Sequence, residues 1–164
     1  MEKSLLRTDN EIAEIYQRHV KTVYRVCYAF MKNPADTEDA VADTFVKMIK
    51  SAPALDNAEH EKAWLIRTAT NVCKDNLKRW WRKYEDSLDN FETLNTGDNM
   101  QIDFTLGVVC SLPEKYKLVT LLYYYDGYST VQISEILHKP KSTIRYLLYE
   151  ARKILREKLG GDFR

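Results

Sequence analysis

The sequence predicts an all-α protein built from two small helical domains joined by an acidic linker, and three observations carry that reading. First, 164 residues contain only 5 Gly and 4 Pro, and no Gly precedes Gly97. A small β-barrel or sandwich needs more turn residues than that. Second, apolar residues step by three and four over long stretches, the spacing of one buried helix face. Third, the charge is segmented. The net charge of +1 comes from 25 basic and 24 acidic side chains. Residues 59–84 carry a net +4, residues 85–105 a net −6 with no basic residue at all, and residues 106–164 a net +4. An even spread of +1 would argue against a polyanionic partner, but two basic blocks around an acidic one do not. The boundaries that follow are a domain over 1–84, a flexible acidic linker over 85–105 and a second domain over 106–164.

The first helix is predicted by Ile12, Ile15, Tyr16, Val20, Val23, Tyr24, Cys27, Phe30 and Met31, and ends near Asn33-Pro34. The second begins around Asp36, where Asp36, Glu38 and Asp39 favour the positive end of the helix dipole. Its buried stripe is expected to be Val41, Thr44, Phe45, Met48 and Ile49. Asp39, Ala42, Asp43 and Lys47 then lie on the opposite, solvent-facing side. These carboxylates share a face but have no nucleophile or base beside them, so a solvated helix start or a protein-docking face is the better reading than acid–base chemistry.

The third helix runs from about Glu59 to Lys83, with Trp64, Leu65, Ala69, Val72 and Leu77 towards the core. Arg67, Asn71, Lys74 and Lys78 follow at four, three and four residues, which lines them along one face. The helix closes on Lys78-Arg79-Trp80-Trp81-Arg82-Lys83. Basic side chains neutralise phosphates and aromatic rings stack on unpaired bases, so this face is a candidate nucleic-acid surface. The plainer reading is a solvated basic face with two tryptophans covering a helix end.

In the second domain Pro113 is expected at the first helical position of a helix carrying Leu118, Leu121, Leu122 and Tyr125, which ends at Asp126-Gly127. Ser129 and Gln132 have capping-box spacing and start a short helix with Val131, Ile133, Ile136 and Leu137. After His138-Lys139-Pro140 a last helix buries Ile144, Leu148, Ala151, Leu155 and Leu159. Its other faces carry Arg145, Tyr146, Tyr149, Arg152, Lys153 and Arg156. A short helix, a tight turn and a basic helix make a helix-turn-helix over about 129–149. Ser134 is small enough for the helix crossing, Ile144 is the plug, and His138 must take the turn position that usually prefers Gly. Lys141, Ser142, Thr143, Arg145 and Tyr146 would then enter a major groove.

Cys27, Cys73 and Cys110 are scattered and odd in number, which reads as reduced, buried or half-buried thiols of a cytoplasmic protein. His19, His60 and His138 are equally scattered, so neither a metal site nor a cofactor is expected. No apolar run is long enough to insert in a membrane, and Met1-Glu2-Lys3-Ser4 lacks a signal-peptide pattern.

In the order and spacing of these stretches the chain resembles the extracytoplasmic-function (ECF) sigma factors of bacterial RNA polymerase. The likeness rests on Asp36-Thr37-Glu38-Asp39-Ala40-Val41-Ala42-Asp43-Thr44-Phe45 and on Lys62-Ala63-Trp64-Leu65-Ile66-Arg67 with Asn71. In the second domain it rests on Leu112-Pro113-Glu114-Lys115-Tyr116, Asp126-Gly127-Tyr128-Ser129, Ile133-Ser134-Glu135-Ile136-Leu137 and Ala151-Arg152-Lys153. The resemblance implies sigma region 2 followed by sigma region 4. It implies that Asp39, Ala42, Asp43 and Lys47 dock on the β′ clamp of core RNA polymerase. Asn57 and His60, in the Asn57–Glu61 loop, with Trp64, Arg67, Asn71, Lys74 and Lys78, would bind and open the −10 element of promoter DNA. Lys141, Ser142, Thr143, Arg145, Tyr146 and Arg152 would read the −35 element, with region 4 also touching the β flap. The acidic linker would run through the polymerase's nucleic-acid channel. The family commonly has an anti-sigma factor as a further partner.

Relatives often carry Gln at the position of Ala42, Gly at that of His138, and basic residues at those of Leu147 and Glu150. The competing reading is a stand-alone helix-turn-helix regulator whose first domain senses or dimerises. An enzyme is not expected, since no phosphate loop, ligand cluster or nucleophile–base pair occurs.

Overall fold

The computed structural model describes residues 7–51, 53–83 and 104–159. It contains seven helices among these residues and no strand: α1 (Asp9–Met31), α2 (Pro34–Ser51), α3 (Ala58–Lys83), α4 (Phe104–Cys110), α5 (Glu114–Tyr124), α6 (Thr130–Leu137) and α7 (Lys141–Leu159). The chain divides into two compact units between Thr96 and Gly97, the first holding α1–α3 and the second α4–α7.

Each helix of the first unit starts where a short polar side chain replaces the missing intrahelical partner. Thr8 and Glu11 form a reciprocal capping box at α1, with Thr8 N–H donating to Glu11 Oε1 at 2.9 Å. Lys32 stops α1 in a left-handed conformation, φ 66°, and Asn33 at once caps the next helix. Asn33 Oδ1 accepts from the Asp36 backbone N–H at 2.8 Å, and Pro34 takes the first helical position, where no N–H is needed. Asn57 Oδ1 accepts from the His60 N–H at 2.9 Å and caps α3. Helix α3 therefore begins at Ala58. The Asn57–Glu61 segment expected as a loop is a cap followed by the first helical turn.

The core of this unit is Ile15, Val23, Cys27, Val41, Phe45, Met48, Leu65, Ile66, Ala69 and Val72, all buried. Burying a side chain of this size contributes about 1.5–3 kcal/mol. Thr44 and Thr70 sit inside because each hydroxyl donates to the carbonyl four residues back, at 2.8 Å in both cases. Cys27 and Cys73 meet between α1 and α3. Their mutual hydrogen bond, then burial, push the Cys27 thiol far up and leave it an inert core group. Burial and the nearby Glu38 raise the phenol of Tyr24.

Three core expectations fail here. Ile49 lies 44% exposed, not in the stripe, and Trp64 and Leu77 are only half-buried. The stripe of an 18-residue helix drifts around its axis, so Ile49 falls on the edge that Val41 and Met48 leave open.

In the second unit α4 was not expected. It begins at Phe104, inside the stretch read as linker, and brings Leu106 and Val109 into the core. Pro113 is the N-cap of α5, one position before the expected one. At α6 the Ser129–Gln132 box is present in both directions, at 3.1 and 2.9 Å. His138 ends α6 with φ 57°, the left-handed residue that the turn demanded. Ile133, Ile144 and Leu148 are fully buried at the α6–α7 crossing. Val131, expected in that core, is 44% exposed, and Leu147 is buried.

The left-handed His138 yields a direct expectation. Glycine adopts this conformation without the Cβ clash, so His138→Gly is expected to raise the stability of the second unit by about 0.5–1 kcal/mol. Thermal unfolding followed by circular dichroism checks it; a lower melting temperature contradicts the strain argument.

Candidate functional site

Three surfaces gather the residues singled out above. On α2, Asp39, Ala42, Asp43 and Lys47 are all exposed, while Thr37, Ala40, Val41, Thr44, Phe45 and Met48 of the same helix are buried. Helical spacing sets Ala42, Val46 and Ile49 in one row, with Asp39 and Asp43 towards one end and Lys47 and Lys50 towards the other. Val46 and Ile49 are 43% and 44% exposed. From α1, Tyr16 packs its ring 4.9 Å from that of Phe45 and stays partly exposed. The α2 face is thus an apolar strip flanked by charges, and Val46 and Ile49 were missed as members of it. Their exposure was legible only by carrying the row on from Ala42.

The second surface is α3. Asn71, Lys74 and Lys78 are exposed in one row and Arg67, at its head, is half-buried. The side chains of Trp80, Trp81, Arg82 and Lys83 lie outside the described residues, as does the acidic stretch 85–103. At the start of the helix His60 Nδ1 accepts from the Asp56 N–H at 3.2 Å, so Asn57 and His60 both serve the helix start.

One residue later comes Glu61, which the sequence did not single out. It is buried, and its Oε1 accepts from His19 Nε2 at 2.9 Å and from Arg18 Nη2 at 3.1 Å. A carboxylate only accepts here, so Nε2 of His19 carries its proton. This group ties the first turn of α3 to α1. Arg7 does the same for the preceding segment, donating from Nη2 to the Pro53 carbonyl at 2.7 Å. Between these anchors lies an open cleft of about 520 Å³, lined by Arg7, Glu14, Arg18, Leu55, Asp56 and Glu61 among others.

The third surface is the helix-turn-helix. Lys141, Ser142, Arg145 and Tyr146 are exposed on α7, and Thr143 is half-buried. No acidic residue occurs from His138 to Tyr149. Arg152 stands apart from this group. Its Nε donates to the Tyr124 hydroxyl at 3.0 Å, and its guanidinium lies 5.5 Å from the Tyr123 ring centre. The half-buried Arg152 therefore fastens α7 to α5. Among the described residues no group of His, Cys, Asp and Glu is placed to hold a metal ion, and no helix is long and apolar enough to cross a membrane.

A helical unit with a basic helix face, followed in the same chain by a helix-turn-helix whose exposed start carries no acid, is an arrangement found in DNA-binding proteins. Residues 15–83 match Sigma-70 region 2 and residues 106–155 match Sigma-70 region 4, which together cover most of the chain. The ECF RNA polymerase sigma factor SigW of Bacillus subtilis is 25% identical over 174 residues, spanning 91% of this chain and 87% of that protein. The RNA polymerase sigma factor SigV of the same species is 26% identical over 148 residues, spanning 88% of each. Among solved structures, the sigma factor RpoE crystallised with the anti-sigma factor NepR, from Bartonella quintana, superposes with a TM-score of 0.73. That likeness, at 19% identity over 93% of this chain and 99% of that one, is one of fold. The chain belongs to the ECF sigma factors. Members of this family are transcription initiation factors of RNA polymerase, not catalysts.

Proposed function

We propose that the chain binds core RNA polymerase through α2, opens the −10 element with α3 and reads the −35 element with α6–α7. The observation that carries this reading is the pairing, in one chain, of the α2 and α3 surfaces with a helix-turn-helix. The stand-alone regulator needs only the last of these and leaves a docking strip and a second basic face without a task.

On α2, Asp39, Ala42, Asp43 and Lys47 surround the Val46–Ile49 strip, a surface suited to a helical partner with apolar side chains and mixed charge. The β′ clamp is that partner in this reading. On α3, Lys74 and Lys78 supply phosphate contacts, while Trp64, Arg67 and Asn71 lie along the strand's path. Asn57 and His60 act here by fixing the start of α3, beside which an unstacked base is held. Unpairing a base costs a few kcal/mol, so capture together with phosphate contacts biases duplex towards single strand.

On α7, Lys141, Ser142, Thr143, Arg145 and Tyr146 face the −35 duplex, and Arg152 supports them from behind. Region 4 also meets the β flap. The acidic residues of the linker suit a channel built for nucleic acid, where negative charge competes with DNA or RNA. The domain boundaries at 84/85 and 105/106 belong to this reading. An anti-sigma factor, the class of partner bound to RpoE in the Bartonella structure, would occlude the polymerase-binding strip. The site of action is the cytoplasm.

The basic face has its own test. Lys74→Ala with Lys78→Ala removes two phosphate contacts, so the slope of log affinity against log salt for holoenzyme on melted −10 DNA is expected to fall by about 1.4. Titration of a fluorescent single-stranded probe at several salt concentrations measures it. An unchanged slope contradicts the assignment of α3.

A further inference from the structure

Tyr146 and Tyr149 stand on adjacent turns of α7, each 55% exposed, more than the other exposed large apolar side chains among the described residues. Helical rotation sets Ser142, Arg145, Tyr146, Tyr149 and Lys153 in one row, opposite the buried Ile144, Leu147, Leu148, Ala151 and Leu155. From Ser142 to Lys153 the row spans about 16 Å, at 1.5 Å per residue, close to five base-pair steps of about 3.4 Å. Lys153 Nζ lies 5.6 Å from the Tyr149 ring centre and 3.6 Å from Glu150 Oε1. The ring therefore has a cation beside it at the far end of the row, and Arg145 at the near end. That charge pattern fits a polyanion.

The chemistry of the row is unusual for a reading helix. Only Arg145 offers a guanidinium fork to a base edge. Leu147 is taken up by the core, and Glu150 is a half-buried acid. Besides Ser142 and Lys153, what remains exposed in the row is two rings. In the major groove thymine alone among the four bases presents an apolar group, its C5 methyl, and a ring face can cover it. We infer that Tyr149, acting with Tyr146, reads thymine methyl groups in the −35 duplex, and that Lys153 holds the adjacent phosphate. This rests on the proposal that α7 enters that duplex, and it assigns to Tyr149 and Lys153 a part in specificity.

Uracil in place of thymine removes the methyl group and leaves the hydrogen-bonding edge and the protein unchanged. The probe is the duplex that wild-type holoenzyme enriches from a pool randomised upstream of a fixed −10 region. Each thymine of the enriched segment is replaced in turn by uracil. Binding is measured for the wild type, Tyr149→Ala and Arg145→Ala. At one or two positions uracil is expected to weaken wild-type binding about fourfold, the worth of one buried methyl group. Tyr149→Ala is expected to bind the thymine and uracil duplexes equally.

If Arg145→Ala loses sequence preference while uracil costs the wild type nothing at any position, α7 still reads DNA and the thymine inference is overturned. If the uracil penalty persists undiminished in Tyr149→Ala, the assignment to Tyr149 is overturned. If no sequence is enriched and Arg145→Ala binds like the wild type, the −35 role of α7 itself falls.

Discussion

Val46→Glu on α2 is expected to weaken binding of the full chain to core RNA polymerase about 100-fold, with no loss of fold. Val46 is 43% exposed in the free protein, so a carboxylate there stays hydrated before docking. In the proposed complex the same position would lie in the middle of the row Ala42–Val46–Ile49, where contact would exclude water. A few central residues carry most of the energy of such interfaces, about 2–4 kcal/mol each. An unpaired charge at the centre also loses its hydration on docking, which adds to the loss. Competition for core polymerase against a labelled wild-type chain measures the effect, with circular dichroism confirming the helix content. Wild-type affinity in the variant removes α2 from the polymerase interface.

Ile144→Ala attacks the second unit from inside. Ile144 is fully buried where α7 crosses α6, against a core that includes Ile133 and Leu148. Truncating a buried isoleucine costs about 2–5 kcal/mol, the larger values where the walls cannot collapse into the space. The walls here are two helices held 3 residues apart by the His138–Pro140 turn, which leaves little freedom to close. The second unit is small and marginal in stability, so such a loss consumes much of it. The expected outcome is an early thermal transition for this unit and loss of −35 duplex binding. Binding to core polymerase through α2 is retained. A single unshifted transition contradicts the assignment of Ile144 as the plug.

The parts of the molecule that were legible in the sequence are those fixed by neighbours along the chain. The Ser129–Gln132 box, the left-handed His138 and the burial of Ile144 each follow from residues within one or two turns. So does the exposure of Asp39, Ala42, Asp43 and Lys47, because period 3.6 alone separates them from Val41 and Phe45. What escaped depends on residues far away in sequence. Glu61 is tied down by His19, 42 residues earlier, and nothing local to Glu61 announces that. The bond from Arg152 Nε–H to the hydroxyl of Tyr124, 28 residues earlier, is equally unannounced by its neighbours. Helix α4 has 7 residues, about two turns, too few for periodicity to separate it from an acidic linker. Ile49 and Val131 lie at the edges of their stripes, where a hydrophobic side chain has no local reason to face either way.

As a sigma factor the chain must act with both units together on polymerase and promoter. Run-off transcription in vitro tests this most directly, with core RNA polymerase, the full chain and a template bearing the upstream segment enriched by the holoenzyme. A transcript of defined 5′ end is expected that appears only when the chain is added and disappears with Val46→Glu. No promoter-specific transcript, with duplex DNA still bound by the chain alone, would contradict it and return the protein to the class of stand-alone regulators.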